Sequence, residues 1–237
     1  MSLSHSNVLW SKIRLAEPRL HAATQAFWSH PQLAEILPSF LVQLHRVMKG
    51  GIDLMRIARE RALSMPGDPV AAIVAEYLEE HILEEKDHDA WLLDDIGTLG
   101  ISPEEVAGAT PLAAVVSLLG AQYFWALNIH PVAVFGYLIV LEGKPPVAAE
   151  LEMIRRRTGL PASAFRCLHE HADNDPHHIA ELNSTLDAMP LTTEQEEYIA
   201  LSAFQTIDSV AAILEELTSL HAASLQHSFD APAPAYG

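Results

Sequence analysis

LVQLHRVMKGGIDLM, residues 41–55, places Leu41, Leu44, Met48, Ile52 and Met55 three or four residues apart. That is the spacing of one face of an α-helix, not the alternation of a half-buried strand. Upstream, Pro38-Ser39 reads as a helix start; downstream, Pro66-Gly67-Asp68-Pro69 is a sharp turn. A long helix over about 38–65, bent at Gly50-Gly51, is therefore expected. The same three-to-four period continues nearly throughout, and no sustained period-two segment appears. The fold class is all-α.

Further helices are expected over about 70–96, 112–127, 132–141, 146–157 and 163–188. Ser102-Pro103-Glu104-Glu105 supplies a cap, a first-turn proline and a capping-box glutamate for a short helix. Thr192 and Thr193 can cap a last long helix ending near 221. Residues 1–221 read as one domain, because nothing in the middle resembles a linker. Residues 222–237, ending APAPAYG, lack an apolar face and are expected to form a flexible tail.

The chain has 237 residues, 49% hydrophobic and 19% charged, which supports a large buried core and opposes disorder. Its net charge of −17 opposes binding to nucleic acid or an anionic membrane surface, since both need clustered cations. The longest apolar stretches fall short of the roughly 20 residues that span a bilayer. The single cysteine, Cys167, forms no intramolecular disulfide, and the start MSLSHSNVLW lacks the features of a signal peptide. A cytoplasmic protein is expected, and the apolar content is compatible with a homodimer.

Two stretches repeat one pattern. HILEEKDH (81–88) and HADNDPHH (171–178) both read His-x-x-x-carboxylate-x-x-His. On a helix, positions i, i+4 and i+7 share a face, so His81, Glu85 and His88 would form one stripe and His171, Asp175 and His178 another. The inner pairs Glu85-x-x-His88 and Asp175-x-x-His178 have the spacing with which helical bundles build dinuclear iron or manganese sites, together with single carboxylates from other helices. Glu142, at the end of the apolar run FGYLIVLEG, is a candidate for such a carboxylate. A buried unpaired carboxylate costs several kcal/mol, so it needs a cation or a proton.

Blander readings stand beside each of these. HILEEKDH can be a solvated charged face, as Glu84, Lys86, Asp87 and Asp89 are read to be. Asp175-Pro176 can be a helix N-cap and first-turn proline, which would leave His171 outside the helix. Glu142 can reach solvent where the helix stops at Gly143. His45, on the apolar stripe of residues 41–55, reads as a core histidine, Tyr123, Trp125 and Tyr137 as core aromatics, and Arg155-Arg156-Arg157 as a solvated helix end.

The segments EEKDHDAWLLDDI (84–96), HPVAVFGYLIVLEG (130–143) and HEHADNDPHHIAEL (169–182) resemble the heme-oxygenase-like iron-containing redox proteins, which include the heme-oxygenase-like diiron oxidases and oxygenases. Thiaminase and PQQ-synthesis oxidase relatives share the fold. The resemblance covers about 70–186 and implies a bundle of seven to eight helices. Carried over by motif, it implies a metal set of Glu85, His88, Glu142, His171, Asp175 and His178, with Glu142 also catalytic. Such proteins commonly add a carboxylate from the first core helix, where this chain offers Asp53 or Glu60. His81 falls outside the pattern and is read as supporting the ligands. Thiaminase relatives use a catalytic cysteine, for which Cys167 is a poor substitute.

The resemblance implies Fe(II), two ions per chain with manganese as an option, dioxygen as co-substrate and a small organic substrate. Amine N-oxygenation and oxidative C–C cleavage of an amino or fatty acid are the reactions it suggests. A metal-independent oxidase or hydrolase of the same fold, and a non-catalytic iron-binding protein, are the alternatives.

Overall fold

The computed structural model describes residues 4–144 and 147–230, the side chains of 174–176 and 220–230 excepted. The described residues contain helices and no strand. In chain order the helices are α1 (His5–Ala16), α2 (Pro18–Trp28), α3 (Leu33–Leu63), α4 (Pro69–Glu84), α5 (His88–Gly97), α6 (Pro103–Gly108), α7 (Ala113–Phe124), α8 (Val134–Leu141), α9 (Ala148–Thr158), α10 (Arg166–Ala188) and α11 (Thr193–Asp230). A π-helical turn, Trp125–Ile129, and a 3-10 turn, Pro131–Ala133, join α7 to α8.

Two long helices organise the bundle. α11 packs against α8, α2 and α7, and α3 packs against α4, α7 and α5. The core between them holds Phe27, Leu37, Leu41, Leu54, Leu78, Phe135 and Phe165, all fully buried. Burying each contributes about 1.5–3 kcal/mol.

Several boundaries differ from the sequence reading, each for a physical reason. α3 starts at Leu33, so Pro38 lies inside the helix. An internal proline costs roughly 3 kcal/mol, but the extra turn buries Leu33, Ile36 and Leu37, which together more than offset it. The helix expected over 70–96 is two helices, because Asp87 adopts the left-handed region at φ 71°. Aspartate tolerates that region better than most residues, and no glycine or proline advertises the break. Conversely, α10 is one helix from Arg166, so Pro176 does not start it and His171 lies within it. α11 is helical to Asp230 rather than ending near 221; residues 231–237 of the expected tail lie outside the described residues.

The expected caps are present where they can be examined. Ser102 and Glu105 form a reciprocal capping box, and Thr192 and Gln195 exchange side-chain-to-backbone bonds of 3.0 and 3.2 Å at the start of α11. Asp68 accepts from Val70 and Ala71 at the start of α4 and also meets buried His130 at 3.1 Å. That contact ties the start of α4 to the turn before α8.

Gly136 sets how closely α8 approaches α11. A Cβ there would lie 2.1 Å from the carbonyl oxygen of Ile199 and 2.7 Å from the amide of Ala203, both backbone atoms. Gly136→Ala should therefore destabilise the fold by about 1–3 kcal/mol despite alanine's better helix propensity. Chemical denaturation of the variant beside Gly120→Ala, whose Cβ meets nothing within 4 Å, checks this: the first should fall in stability and the second should not.

Candidate metal centre

α4, the turn after it, the end of α8 and the middle of α10 meet at one buried polar site. His81 (1% exposed) and Glu84 come from the last turn of α4, and Glu85 from its C-cap. His88 opens α5, Glu142 is the C-cap of α8, and His171 and His178 come from α10. Four imidazoles and three carboxylates thus converge.

They form two triads. In His81, Glu84 and His178 the ligand-capable atoms all lie within 4.8 Å of one another, and the same holds for Glu85, His88 and His171. One carboxylate, Glu85, joins the triads, and a second, Glu142, adds to the first of them. Glu85 Oε2 lies 3.0 Å from His88 Nδ1 and 3.9 Å from His171 Nε2, while its Oε1 lies 3.7 Å from His178 Nδ1. Glu142 Oε1 meets His81 Nε2 at 3.1 Å, and its Oε2 lies 3.5 Å from His178 Nδ1.

The break at Asp87 makes this possible. On a single helix, His81, Glu85 and His88 would share one stripe; instead the turn lets Glu85 reach His88 and His171 while His81 belongs to the other triad. Glu142 settles between its two readings in an instructive way. The helix does stop there, yet the side chain is only 8% exposed. Its Oε2 is buried and has no hydrogen-bond partner among the described residues.

Neighbouring groups orient the imidazoles. The Nδ1–H of His171 donates to the carbonyl of Cys167 at 2.9 Å, leaving Nε2 towards Glu85. An outer hydrogen bond of this kind is how proteins fix the tautomer of a metal-ligating histidine. Tyr77 stacks on His81 with its hydroxyl 3.5 Å from Nδ1, and Trp91 tilts against His88 with ring centroids 4.6 Å apart. Buried Asp95 accepts the amide of Cys167 at 2.7 Å and so anchors the start of α10 from α5.

The charges are mutually dependent. Burial by itself favours the neutral form of Glu85, but His171 and His88 more than offset it and hold the carboxyl far below the usual range. Burial likewise works against a charged His171, yet Cys167 and Glu85 raise its pKa to about 11. His81 is raised too, its desolvation outweighed by Glu142, Glu85 and Glu84. Without a metal, the proton on His171 offsets the charge of Glu85.

The site opens onto a cavity of about 730 Å³, whose walls include His81, Glu85, Glu142 and His171. Its body is apolar, with Phe40, Leu44, Met48, Ile52, Met55 and Leu138 among the lining residues. Its exposed rim carries Gln25 of α2, Lys144, and Glu150 and Arg157 of α9.

Of the residues expected as ligands, Glu85, His88, Glu142, His171 and His178 come together; Asp175 lies outside the described side chains. Asp53 and Glu60 on α3 are exposed, and Asp53 pairs with Arg56 at 3.0 Å, so neither reaches the site. Half-buried His45 belongs to neither triad. The sequence reading set His81 beside the ligands and gave Glu84 to solvent; Glu84 is indeed exposed, yet its carboxylate lies within reach of His81 and His178. The i, i+3 spacing of His81 and Glu84, the same as that of Glu85 and His88, was the available signal.

A family model described as "Iron-containing redox enzyme" matches residues 53–211. The chain belongs to this family. The matched span contains every residue of both triads and Glu142. No curated protein matches the chain. Among solved structures, a domain of unknown function with a heme oxygenase-like fold from Shewanella denitrificans is 18% identical with a TM-score of 0.73, over 98% of this chain and 95% of that one. A TenA homolog from Pseudomonas syringae is 13% identical with a TM-score of 0.69, covering 90% and 92%. A CADD-like protein of unknown function from Nostoc punctiforme is 18% identical with a TM-score of 0.63, covering 92% and 96%. At these identities the likeness establishes the fold, a heme oxygenase-like all-α bundle. Among the described residues no helix is long and apolar enough to cross a membrane.

The turn after α4 is a testable part of the site's construction. Asp87→Ile should cost about 1–2 kcal/mol, because a β-branched side chain is strained at positive φ, whereas Asp87→Gly should be tolerated. Denaturation midpoints check the pair; equal loss in both variants would assign the turn's stability to the aspartate side chain instead.

Proposed function

We propose that the protein is a non-heme diiron oxidase or oxygenase that uses dioxygen to oxidise a small, largely apolar organic substrate. The observation that carries this reading is the pair of His/carboxylate triads, joined through Glu85 and with Glu142 beside one of them, in the wall of an apolar cavity. Membership of the iron-containing redox enzyme family supports it.

The donor set fits the metal. Imidazole with carboxylate suits iron or manganese, whereas structural zinc favours closed sites rich in cysteine. Glu142 Oε2, buried without a hydrogen bond, is the kind of group a cation would satisfy. His81, Glu84 and His178, with Glu142 beside them, would hold one ion and Glu85, His88 and His171 the other. Iron bound there would supply the redox chemistry that activates dioxygen.

The protein's own groups do the rest. The apolar walls exclude water and favour a substrate with an apolar body, which weights oxidative C–C cleavage of a fatty acid above reaction of a polar amino acid or amine. Cys167 and Glu85 hold His171 from its two ring nitrogens, fixing which nitrogen faces the site. Glu142 presents one oxygen to His81 and the other to His178.

Anaerobic loading with ferrous ion, desalting and iron analysis test the reading. Native protein should retain about two irons per chain, and Glu142→Ala sharply fewer. Retention of none by the native protein would favour metal-independent acid/base chemistry at the same groups. Under oxygen, His178→Ala should abolish iron-dependent oxygen uptake; unchanged uptake would remove that residue from the centre.

Loading should also depend on pH with a definite sign. His171 carries its proton well above neutrality in the metal-free site, so ferrous ion must displace at least one proton. Apparent affinity should then rise about tenfold or more per pH unit between roughly pH 6 and 8. A competition titration at several pH values measures the slope; a flat response would mean that His171 is not a ligand.

A further inference from the structure

Tyr137 is only 2% exposed and lines the cavity from α8, on the wall shared with Leu138, Leu141 and Glu142. Every other tyrosine among the described residues uses its hydroxyl. Tyr77 lies 3.5 Å from His81 Nδ1, Tyr123 donates to the carbonyl of Gly50 at 3.3 Å, and Tyr198 donates to Glu194. The Tyr137 hydroxyl makes no hydrogen bond among the described residues, and it is not one of the enclosed atoms left without a partner, so its oxygen opens onto the cavity. A hydroxyl that faces an apolar cavity and is used by no protein group has its donor available to a molecule that fills the cavity.

The opposite wall is shaped around the same atom. Gly51 of α3 is buried and lines the cavity, and a Cβ built there would stand 2.9 Å from the Tyr137 oxygen. Glycine in the middle of a long helix costs stability relative to alanine. Here it keeps the space around the hydroxyl clear. Burial, followed by the nearby Glu142, raises the phenol's pKa, so the group stays protonated and can donate.

We propose that Tyr137 is a substrate-binding residue: its hydroxyl donates a hydrogen bond to a carbonyl or carboxylate oxygen of a molecule whose apolar body fills the cavity, and Gly51 provides the room for that oxygen. The proposal rests on the cavity being the substrate chamber of the oxidase reading. It adds to that reading the acceptor group the substrate must carry and the residue that selects it. The acceptor would lie one to two helical turns before Glu142 along α8, which sets the substrate's orientation relative to the metal-binding groups.

The test uses metal-free full-length protein and three probes: 2-nonanone, octanoate and ethylbenzene, the last having no acceptor oxygen. Calorimetric titration of the native protein and Tyr137→Phe should show binding of the ketone, the acid or both weakened about tenfold by loss of the hydroxyl, with ethylbenzene unchanged. Weakening of the ketone alone assigns a carbonyl, and weakening of octanoate alone a carboxylate. Gly51→Ala, which improves helix propensity, should weaken the same probes by a similar factor.

Unchanged affinities in Tyr137→Phe would overturn the proposal, as would an equal loss for ethylbenzene, which would mark a repacked cavity. Failure of native protein to bind either oxygen-bearing probe would overturn it as well. Iron loading of Tyr137→Phe, measured separately, should match the native protein. Native protein that retains no iron yet shows the Tyr137 dependence would sink the oxidase reading and leave the anchor standing.

Discussion

Three carboxylates and four imidazoles sit together, all but Glu84 largely shielded from solvent, and their mutual compensation is the constraint on which the rest of the structure depends. Desolvation alone would drive Glu85 towards its protonated form and His81 and His171 towards neutrality. The contacts reverse that tendency: Glu85 is held ionised by His88 and His171, and His171 is held protonated by Cys167 and Glu85. Removing His171 would leave the Glu85 carboxylate without its protonated partner, and an unbalanced buried charge ordinarily costs several kcal/mol.

The surrounding helices are arranged to hold these groups in place. Asp95 fixes the start of α10 through the amide of Cys167, and α10 then delivers His171 and His178 seven residues apart, on one face. Gly136 seats α8 against the backbone of α11. At the far end of α8, a Cβ on Gly143 would lie 2.5 Å from the ring of Trp10, whose indole nitrogen donates to Asn183 of α10 at 2.9 Å. The residue after Glu142 is thus clamped by α1, and α1 by the helix that carries two of the histidines. Gln122, Ser202 and Thr206 add a buried hydrogen-bond network between α7 and α11.

The all-α class, the caps at Ser102 and Thr192, and most helix cores were legible from the chain, because a period of 3.6 and capping chemistry are local properties. Glu142 was legible as well, since a carboxylate closing a run as apolar as FGYLIVLEG needs a reason. The break at Asp87 was not, because its cause is tertiary: Lys86 and Asp87 carry no strong stop signal, and the turn persists because it lets Glu85 face three histidines. That one misreading displaced the next. With a continuous helix in mind, His81, Glu85 and His88 form a single stripe, whereas in the bundle His81 pairs with Glu84 and His178. The role of Tyr137 was illegible for a different reason: periodicity shows that an aromatic residue is buried but not whether its hydroxyl finds a partner.

Glu85 faces both triads, one oxygen towards His88 and His171 and the other towards His178. A single carboxylate serving two positions makes them thermodynamically dependent. Whatever changes the charge at one triad alters the field felt at the other, and the coupling must be the same in both directions. The left-handed residue at 87 therefore does more than end a helix. It lies two residues after the carboxylate that faces both clusters, where α4 has ended and α5 begins.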